Sequence, residues 1–172
     1  HDHAIEYAKK GLEYSQEDYA LYYILGTACM ASKRFEESVE YIEHAIKLNP
    51  ENVQLYNNLG TSYLTIGELD KAFETYERAS QVDPKDSLTY FNMASILQLQ
   101  NKHKEACEYF AKAHELEPEE DSYLVAWALS EVKAGQFKEA IEHYKYLASA
   151  YPQKSSYRYN LACCYQVIGE YE

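Results

Sequence analysis

Apolar residues recur along the chain in short runs with helical spacing. One such run consists of Leu55, Leu59, Tyr63 and Ile66. This spacing predicts an amphipathic helix over residues 53–66, and Gly67 then supplies the backbone freedom that a helix end needs. A second run fills residues 69–79 and stops before Pro84, because proline cannot continue a helix. The pattern therefore predicts two short helices joined by a tight turn.

This pattern returns every 34 residues without an insertion, and Asn101, Gly135 and Gly169 stand where Gly67 does, so we expect the same turn at each of them. All four prolines follow the step, at Pro50, Pro84, Pro118 and Pro152. A column of small residues consists of Gly26, Gly60, Ala94, Ala128 and Ala162. A column of large apolar residues precedes it, with Leu25, Leu59, Met93, Trp127 and Leu161. Helices this short are marginal alone in water, so neighbouring pairs must stack to stabilise one another.

A 34-residue helix–turn–helix with this order of large, small and proline positions resembles the tetratricopeptide repeat. The second full repeat carries the resemblance through Tyr56, Leu59, Gly60, Tyr63, Ala72, Tyr76, Ala79 and Pro84. The resemblance implies an all-α fold, a right-handed α-solenoid of stacked antiparallel helix pairs. In such arrays the first helix of each repeat, helix A, lines a concave groove, and helix B forms the outer surface.

The repeat register divides the chain into one array over residues 1–172. We expect four full repeats, at residues 19–52, 53–86, 87–120 and 121–154. A leading helix B covers residues 1–18, and a trailing helix A covers residues 155–172. Because both ends fall inside a repeat, we expect either further repeats in a longer parent protein or end-to-end association with other chains.

Composition and net charge limit the classes of partner that the protein is expected to bind. The formal net charge is −12, and a strongly acidic surface repels nucleic acid and anionic lipid heads. A protein or peptide partner is therefore expected, with no nucleic acid. No apolar run approaches the length of about 20 residues that a membrane helix needs, so no membrane insertion is expected. The four cysteines form no CxxC pair, which favours free thiols and a reducing, cytoplasmic location.

Charge is absent from the first three full A helices. Residues 19–32, 53–66 and 87–100 contain no Asp, Glu, Lys or Arg, which predicts a neutral groove. The resemblance places the second, fifth, sixth, ninth, twelfth and thirteenth residues of each repeat in the groove, and the candidate residues come from the fifth, sixth and ninth columns. We expect its polar and aromatic lining to be Tyr23, Thr27, Asn57, Asn58, Thr61, Phe91, Asn92, Ser95, Tyr159 and Asn160. The other members of these three columns are Ile24, Val125, Ala126, Leu129 and Cys163.

Two interpretations of the asparagines Asn58, Asn92 and Asn160 stay open. An amide can donate and accept, so a ladder of them can pair with the backbone of an extended peptide. Similar ladders occur in arrays of this type, including those of protein O-GlcNAc transferases. Alternatively, asparagine is simply common at this position. A clamp for a chaperone's C-terminal carboxylate is not expected, because the groove lacks the Lys and Arg that it requires.

Chemistry-bearing motifs are missing. The chain contains no P-loop, GxGxxG, HExxH or GxSxG, so we expect no catalytic residues and no cofactor. His1 and His3 are interpreted as an accidental pair, and no metal site is expected. The resulting hypothesis is a non-catalytic scaffold for a peptide or helix of a partner. The alternatives are the substrate-recognition segment of a larger, glycosyltransferase-like enzyme, or a scaffold that assembles through its ends.

The fourth repeat departs from the family pattern at two positions. Glu131 stands where Tyr is common, and Leu147 stands where Ala is common. Three interpretations stay open: this repeat packs differently, Glu131 lines a pocket, or Glu131 is partly exposed on the surface.

Overall fold

A computed structural model describes residues 2–169 of the chain. These residues form ten α-helices and no strand. The helices in chain order are α1 Asp2–Tyr14, α2 Tyr19–Ala31, α3 Phe35–Leu48, α4 Val53–Thr65, α5 Leu69–Val82, α6 Ser87–Leu99, α7 His103–Leu116, α8 Asp121–Ala134, α9 Phe137–Ala150 and α10 Ser155–Ile168. The even-numbered helices are the A helices and the odd-numbered ones the B helices. His1, which belongs to the expected histidine pair and to the leading segment 1–18, lies outside the described residues, as do the last three residues of the trailing segment 155–172.

The chain divides into two compact units, His1–Thr89 and Tyr90–Glu172, which we call the N-terminal unit and the C-terminal unit. In the N-terminal unit α1 packs on α2, α2 on α3, α3 on α4 and α4 on α5. In the C-terminal unit α7 packs on α8, α8 on α9 and α9 on α10. Each unit is therefore built from sequential helix pairs. None of the helices in residues 2–169 is long and apolar enough to cross a membrane.

The turn after every A helix contains one residue in the left-handed backbone region. Gly67, Gly135 and Gly169 have φ angles of 86°, 78° and 75°, and Asn101 has a φ of 60°. These four positions were predicted from the sequence and are confirmed. Lys33 occupies the same place in the first turn, with a φ of 59°. The sequence pattern missed it, because a side chain longer than Asn rarely adopts this conformation.

The core of each unit lies between the A and B helices. In the N-terminal unit its largest cluster holds the buried residues Ile42, Ala45, Ile46, Leu55, Tyr56, Leu59 and Ala79. In the C-terminal unit it holds Leu124, Ala128, Ala140, Ile141, Tyr144, Leu147, Tyr157 and Cys164. Leu147 is completely buried, so the larger residue is absorbed into the core of the fourth repeat. The four cysteines are free thiols, and only Cys163 is partly exposed.

Small residues allow the paired helices to approach closely. A Cβ atom added to Gly60 on α4 would lie 2.6 Å from Cζ of Tyr76 on α5. The Tyr76 side chain is completely buried, and its hydroxyl lies 3.0 Å from the Thr61 hydroxyl. The ring is thus held on both sides and has no room to move away. Gly26 stands in the same relation to Ile42, where the added Cβ would lie 2.4 Å from Cγ1.

We predict that Gly60→Ala destabilises the protein by about 1 kcal/mol. Overpacking a core costs about 1–3 kcal/mol, which outweighs the roughly 1 kcal/mol that alanine gains over glycine inside a helix. The matched control is Gly11→Ala in α1, whose Cβ would meet only the end of the flexible Leu21 side chain, at 2.9 Å. This control should be neutral or stabilising. Urea unfolding of both variants tests the prediction, and a stabilised Gly60→Ala would contradict it.

Candidate functional site

The expected groove residues of the N-terminal unit lie on α2 and α4. Tyr23 and Thr27 on α2 are half-buried, and the Thr27 hydroxyl donates to the Tyr23 carbonyl at 3.0 Å. Asn58 on α4 is also half-buried, and its Oδ1 accepts a long hydrogen bond of 3.4 Å from Nε2 of Gln54. The Thr61 hydroxyl donates to the Asn57 carbonyl at 2.8 Å. The two threonine hydroxyls are therefore engaged with their own helices.

Asn57 has a different environment from its neighbour Asn58. It is only 3% exposed, and its Nδ2 donates to the Asp86 carboxylate at 2.8 Å. The Thr89 hydroxyl lies 2.9 Å from Oδ1 of Asn57 and also contacts the Asp86 carboxylate. The Thr89 backbone N–H donates to the same carboxylate at 3.1 Å. Asn57 therefore joins α4 to the start of α6, and its amide is already occupied inside the N-terminal unit.

We predict that Asn57→Ala lowers the free energy of unfolding by about 1–3 kcal/mol, because it leaves the buried Thr89 hydroxyl and the Asp86 carboxylate without the amide they contact. The adjacent Asn58→Ala is the control and should stay within about 0.5 kcal/mol of the parent protein. Urea denaturation followed by circular dichroism measures both. Equal effects of the two substitutions would contradict the structural role of Asn57.

The expected groove residues of the C-terminal unit lie on α6 and α10. Phe91 is half-buried, with its ring centroid 5.5 Å from that of Phe110 and 5.0 Å from that of Tyr123. Ser95 donates to the Phe91 carbonyl at 2.9 Å, and Asn92 beside them is half-buried. Part of the Phe91 side chain is therefore buried by packing within the unit, and only the remainder is accessible to a partner.

On α10 the two expected groove residues differ in exposure. Tyr159 is 70% exposed, whereas Asn160 is half-buried. Burial raises the pKa of Tyr144 to about 12, and a hydrogen bond with Asn160 opposes the rise. Of the three asparagines in the proposed ladder, Asn160 thus already has a partner in its own unit.

A concavity of about 510 Å³ lies in the C-terminal unit along α8. Its apolar walls are Val125, Ala126 and Leu129 on α8 and Tyr157 on α10. Glu120, Asp121, Ser122 and Lys154 complete the lining. Val125, Ala126 and Leu129 occupy the fifth, sixth and ninth positions of the fourth repeat. These three residues are apolar, so they were not among the polar and aromatic residues expected in the groove. Their positions in the repeat are nevertheless sufficient to identify them.

Large exposed apolar side chains also occur on the A helices, where the other face of the helix is buried. Ile24, Leu88 and Leu129 are each 42% exposed, and Leu99 and Val167 are still more exposed. Charged side chains are absent from residues 19–32, 53–66 and 87–100. These A helices therefore present apolar and neutral polar groups.

The departure at Glu131 produces a buried polar pair. Glu131 on α8 is 3% exposed, which corrects the expectation of a partly exposed side chain. Its Oε2 lies 2.8 Å from Nδ1 of His143 on α9, and since an ionised carboxylate only accepts, His143 donates. The His143 ring centroid lies 4.3 Å from that of Trp127. Glu131 therefore fixes the imidazole against which the only tryptophan of the chain packs.

We predict that Glu131→Ala costs about 1.5–3 kcal/mol, the usual range for a hydrogen bond to a charged group. Glu131→Gln retains an acceptor and should cost less. Trp127 fluorescence should change in the alanine variant, because the His143 ring loses its anchor. Glu139→Ala, at an exposed position of α9, is the control. If it matched Glu131→Ala in both stability and fluorescence, the buried pair would have no role in holding Trp127.

The residue ranges matched by known protein-family models follow the 34-residue repeats of this chain. Three family models, each described as tetratricopeptide repeat, match residues 17–85, 87–120 and 125–172. The chain belongs to the tetratricopeptide repeat family, whose members are generally non-catalytic scaffolds for protein–protein interaction. The all-α fold expected from the sequence is confirmed. A search of curated proteins finds no match.

Solved structures with the same fold are numerous. YrrB, described as a TPR protein with an unusual peptide-binding site, aligns with a TM-score of 0.82 at 18% identity, over 96% of this chain and 85% of YrrB. MamA from Desulfovibrio magneticus RS-1 aligns at 0.80 with 21% identity, over 89% and 86%. A tetratricopeptide repeat protein from Parabacteroides merdae aligns at 0.79 with 22% identity, over 96% and 66%. At these identities the likeness concerns the fold.

Among residues 2–169, no group of three or more His, Cys, Asp or Glu side chains is arranged to hold a metal ion.

Proposed function

We propose that this protein is an interaction scaffold that binds an extended segment of a partner protein along its A helices. The observation that carries the proposal is the apolar concavity on α8, whose walls Val125, Ala126 and Leu129 stand at the repeat positions that line the groove in this family. A concavity of about 510 Å³ is within the range of ligand pockets and accommodates one large apolar side chain.

The chemistry of the exposed A-helix residues defines the segment. Ile24, Leu99 and Tyr159 offer apolar contact area, and apolar and aromatic anchors dominate most binding interfaces. Asn58 and Asn92 are half-buried amides able to pair with a peptide backbone. A neutral peptide with large apolar side chains therefore suits the A helices of either unit. Asn57 is not included among the contacting residues, because its amide is buried in contact with Asp86 and Thr89.

The experiment begins with linear peptides selected by phage display against the purified chain. We predict that Leu129→Glu weakens binding of a selected peptide at least tenfold, because it places a carboxylate in an apolar concavity. Leu48→Glu is the matched control, since Leu48 on α3 is 39% exposed and Leu129 is 42% exposed. Fluorescence anisotropy of labelled peptides measures the affinities.

A second pair of variants tests the asparagines. Asn58→Ala together with Asn92→Ala should weaken the same peptides without unfolding the protein. Binding that resists Leu129→Glu and both asparagine changes, yet falls when acidic residues of the B helices are neutralised, would place the binding surface elsewhere and overturn the proposal.

A further inference from the structure

A second cavity, of about 580 Å³, opens in the C-terminal unit between α7, α8 and α9. Three aromatic side chains, Trp127, Tyr146 and Tyr151, and two carboxylates, Glu119 and Asp121, contribute to its lining. No Lys or Arg lines the cavity itself, although the Lys154 ammonium lies 5.1 Å from the centroid of the Tyr151 ring. This cavity and the apolar concavity share Asp121 and no other lining residue. They are therefore two distinct places on the unit.

The second and third repeats carry a Lys or Arg at a position that corresponds to one of the cavity residues, whereas the first repeat has His44 there, stacked on Tyr22. In the second repeat the Arg78 guanidinium lies 5.0 Å from the centroid of the Tyr56 ring. In the third repeat the Lys112 ammonium lies 4.0 Å from the centroid of the Tyr90 ring. Both members of each pair are separated from their counterparts by 34 residues. The repeat pattern thus places a B-helix cation over an A-helix ring, a favourable contact between a cation and an aromatic face.

The fourth repeat reverses this arrangement. One step of 34 residues further on, Leu124 replaces the tyrosine and Tyr146 replaces the cation, and both line the cavity. The third change is Trp127, which stands where the earlier repeats have Leu25, Leu59 and Met93. The fourth repeat therefore gains the aromatic side chains Trp127 and Tyr146, loses one tyrosine, and lacks the positive charge that the second and third repeats place here.

Neighbouring side chains hold the main ring of the cavity in place. The Trp127 ring packs on His143 at a centroid distance of 4.3 Å, and Glu131 anchors His143. His114 also lines the cavity. Burial lowers the pKa of His114, and His143 lowers it further. Its imidazole is therefore neutral at neutral pH, where Glu119 and Asp121 supply negative charge.

We propose that this cavity binds an organic cation, an alkylammonium or guanidinium group such as the end of a lysine or arginine side chain. The rings of Trp127 and Tyr146 contact the apolar flank and the charge of the cation, and Glu119 and Asp121 attract it from the rim.

The test uses Trp127 as the reporter, since it is the only tryptophan. The chain is titrated with Nα-acetyl-lysine methylamide, and separately with the same compound acetylated on Nε, which has a similar flank without the charge. We predict a saturable change of Trp127 fluorescence, with the charged compound binding roughly three- to thirtyfold more tightly. Equal affinity of the two compounds would overturn the proposal, because the cavity would then recognise only apolar surface.

Substitutions at Tyr146 test whether the cation binds in the cavity beside this side chain. Tyr146→Lys restores the resident cation of the earlier repeats and should abolish binding, whereas Tyr146→Phe should retain it. Tyr7→Lys is the matched control, since Tyr7 is an exposed B-helix tyrosine of the N-terminal unit, and it should leave the titration unchanged. Circular dichroism verifies folding, and Tyr146→Ala, expected to weaken binding, provides a second readout. Undiminished binding by both Tyr146→Lys and Tyr146→Ala would refute the assignment.

Two further arms identify the source of the cation and separate this site from the groove. Butylammonium is compared with a short peptide carrying one lysine. Equal affinity assigns the site to free alkylammonium compounds, and tighter binding of the peptide assigns it to a protein side chain; both agree with a cation site.

Leu129→Glu should leave the Trp127 titration unaffected, so failure of the groove proposal and failure of this one give different results.

Discussion

Close contact between a small residue on an A helix and a bulky side chain on the following B helix, as at Gly26 and Gly60, is the constraint on which the structure depends. Gly60 against Tyr76 shows it most clearly, since a single added carbon would lie 2.6 Å from the ring. Tyr76 is in turn completely buried. Helices in such contact leave little freedom in their relative placement, because protein interiors are close-packed. The face of the A helix opposite this contact remains available for other uses.

The same constraint explains what the sequence reveals and what it conceals. A position that must be small, or must be left-handed, leaves a mark in the residue type. The 34-residue step of glycines, alanines and prolines was therefore sufficient to predict the all-α fold and four of the five left-handed turn residues. Lys33 was not predicted, because the surrounding turn imposes the left-handed backbone conformation on a residue type that does not favour it. Its place in the register was the only available sign.

The candidate site was harder to predict, because its residues are not constrained in the same way. Asn57 and Asn58 are adjacent and chemically identical, yet one is buried against Asp86 and the other is half-buried. Nothing in the local sequence separates them, since the difference depends on a contact 29 residues away. Glu131 was recognised as a departure, but its partner His143 lies on the next helix and follows no motif. The apolar concavity on α8 was not predicted, because its wall residues carry no polar or aromatic group and only their positions in the 34-residue repeat mark them as groove residues.

The glycine turns after the A helices have a consequence for how such a chain can change. At Gly67, Gly135 and Gly169, an added Cβ would meet no atom within 4 Å. The corners at Gly67 and Gly135 project into open space, while the helices on either side are held by their own packing. Extra residues inserted at a corner would lengthen a loop without disturbing a core, and loop lengthening costs little free energy. Length variation and fused peptides are therefore best tolerated at these corners, where they leave the A-helix surface and the aromatic cavity intact.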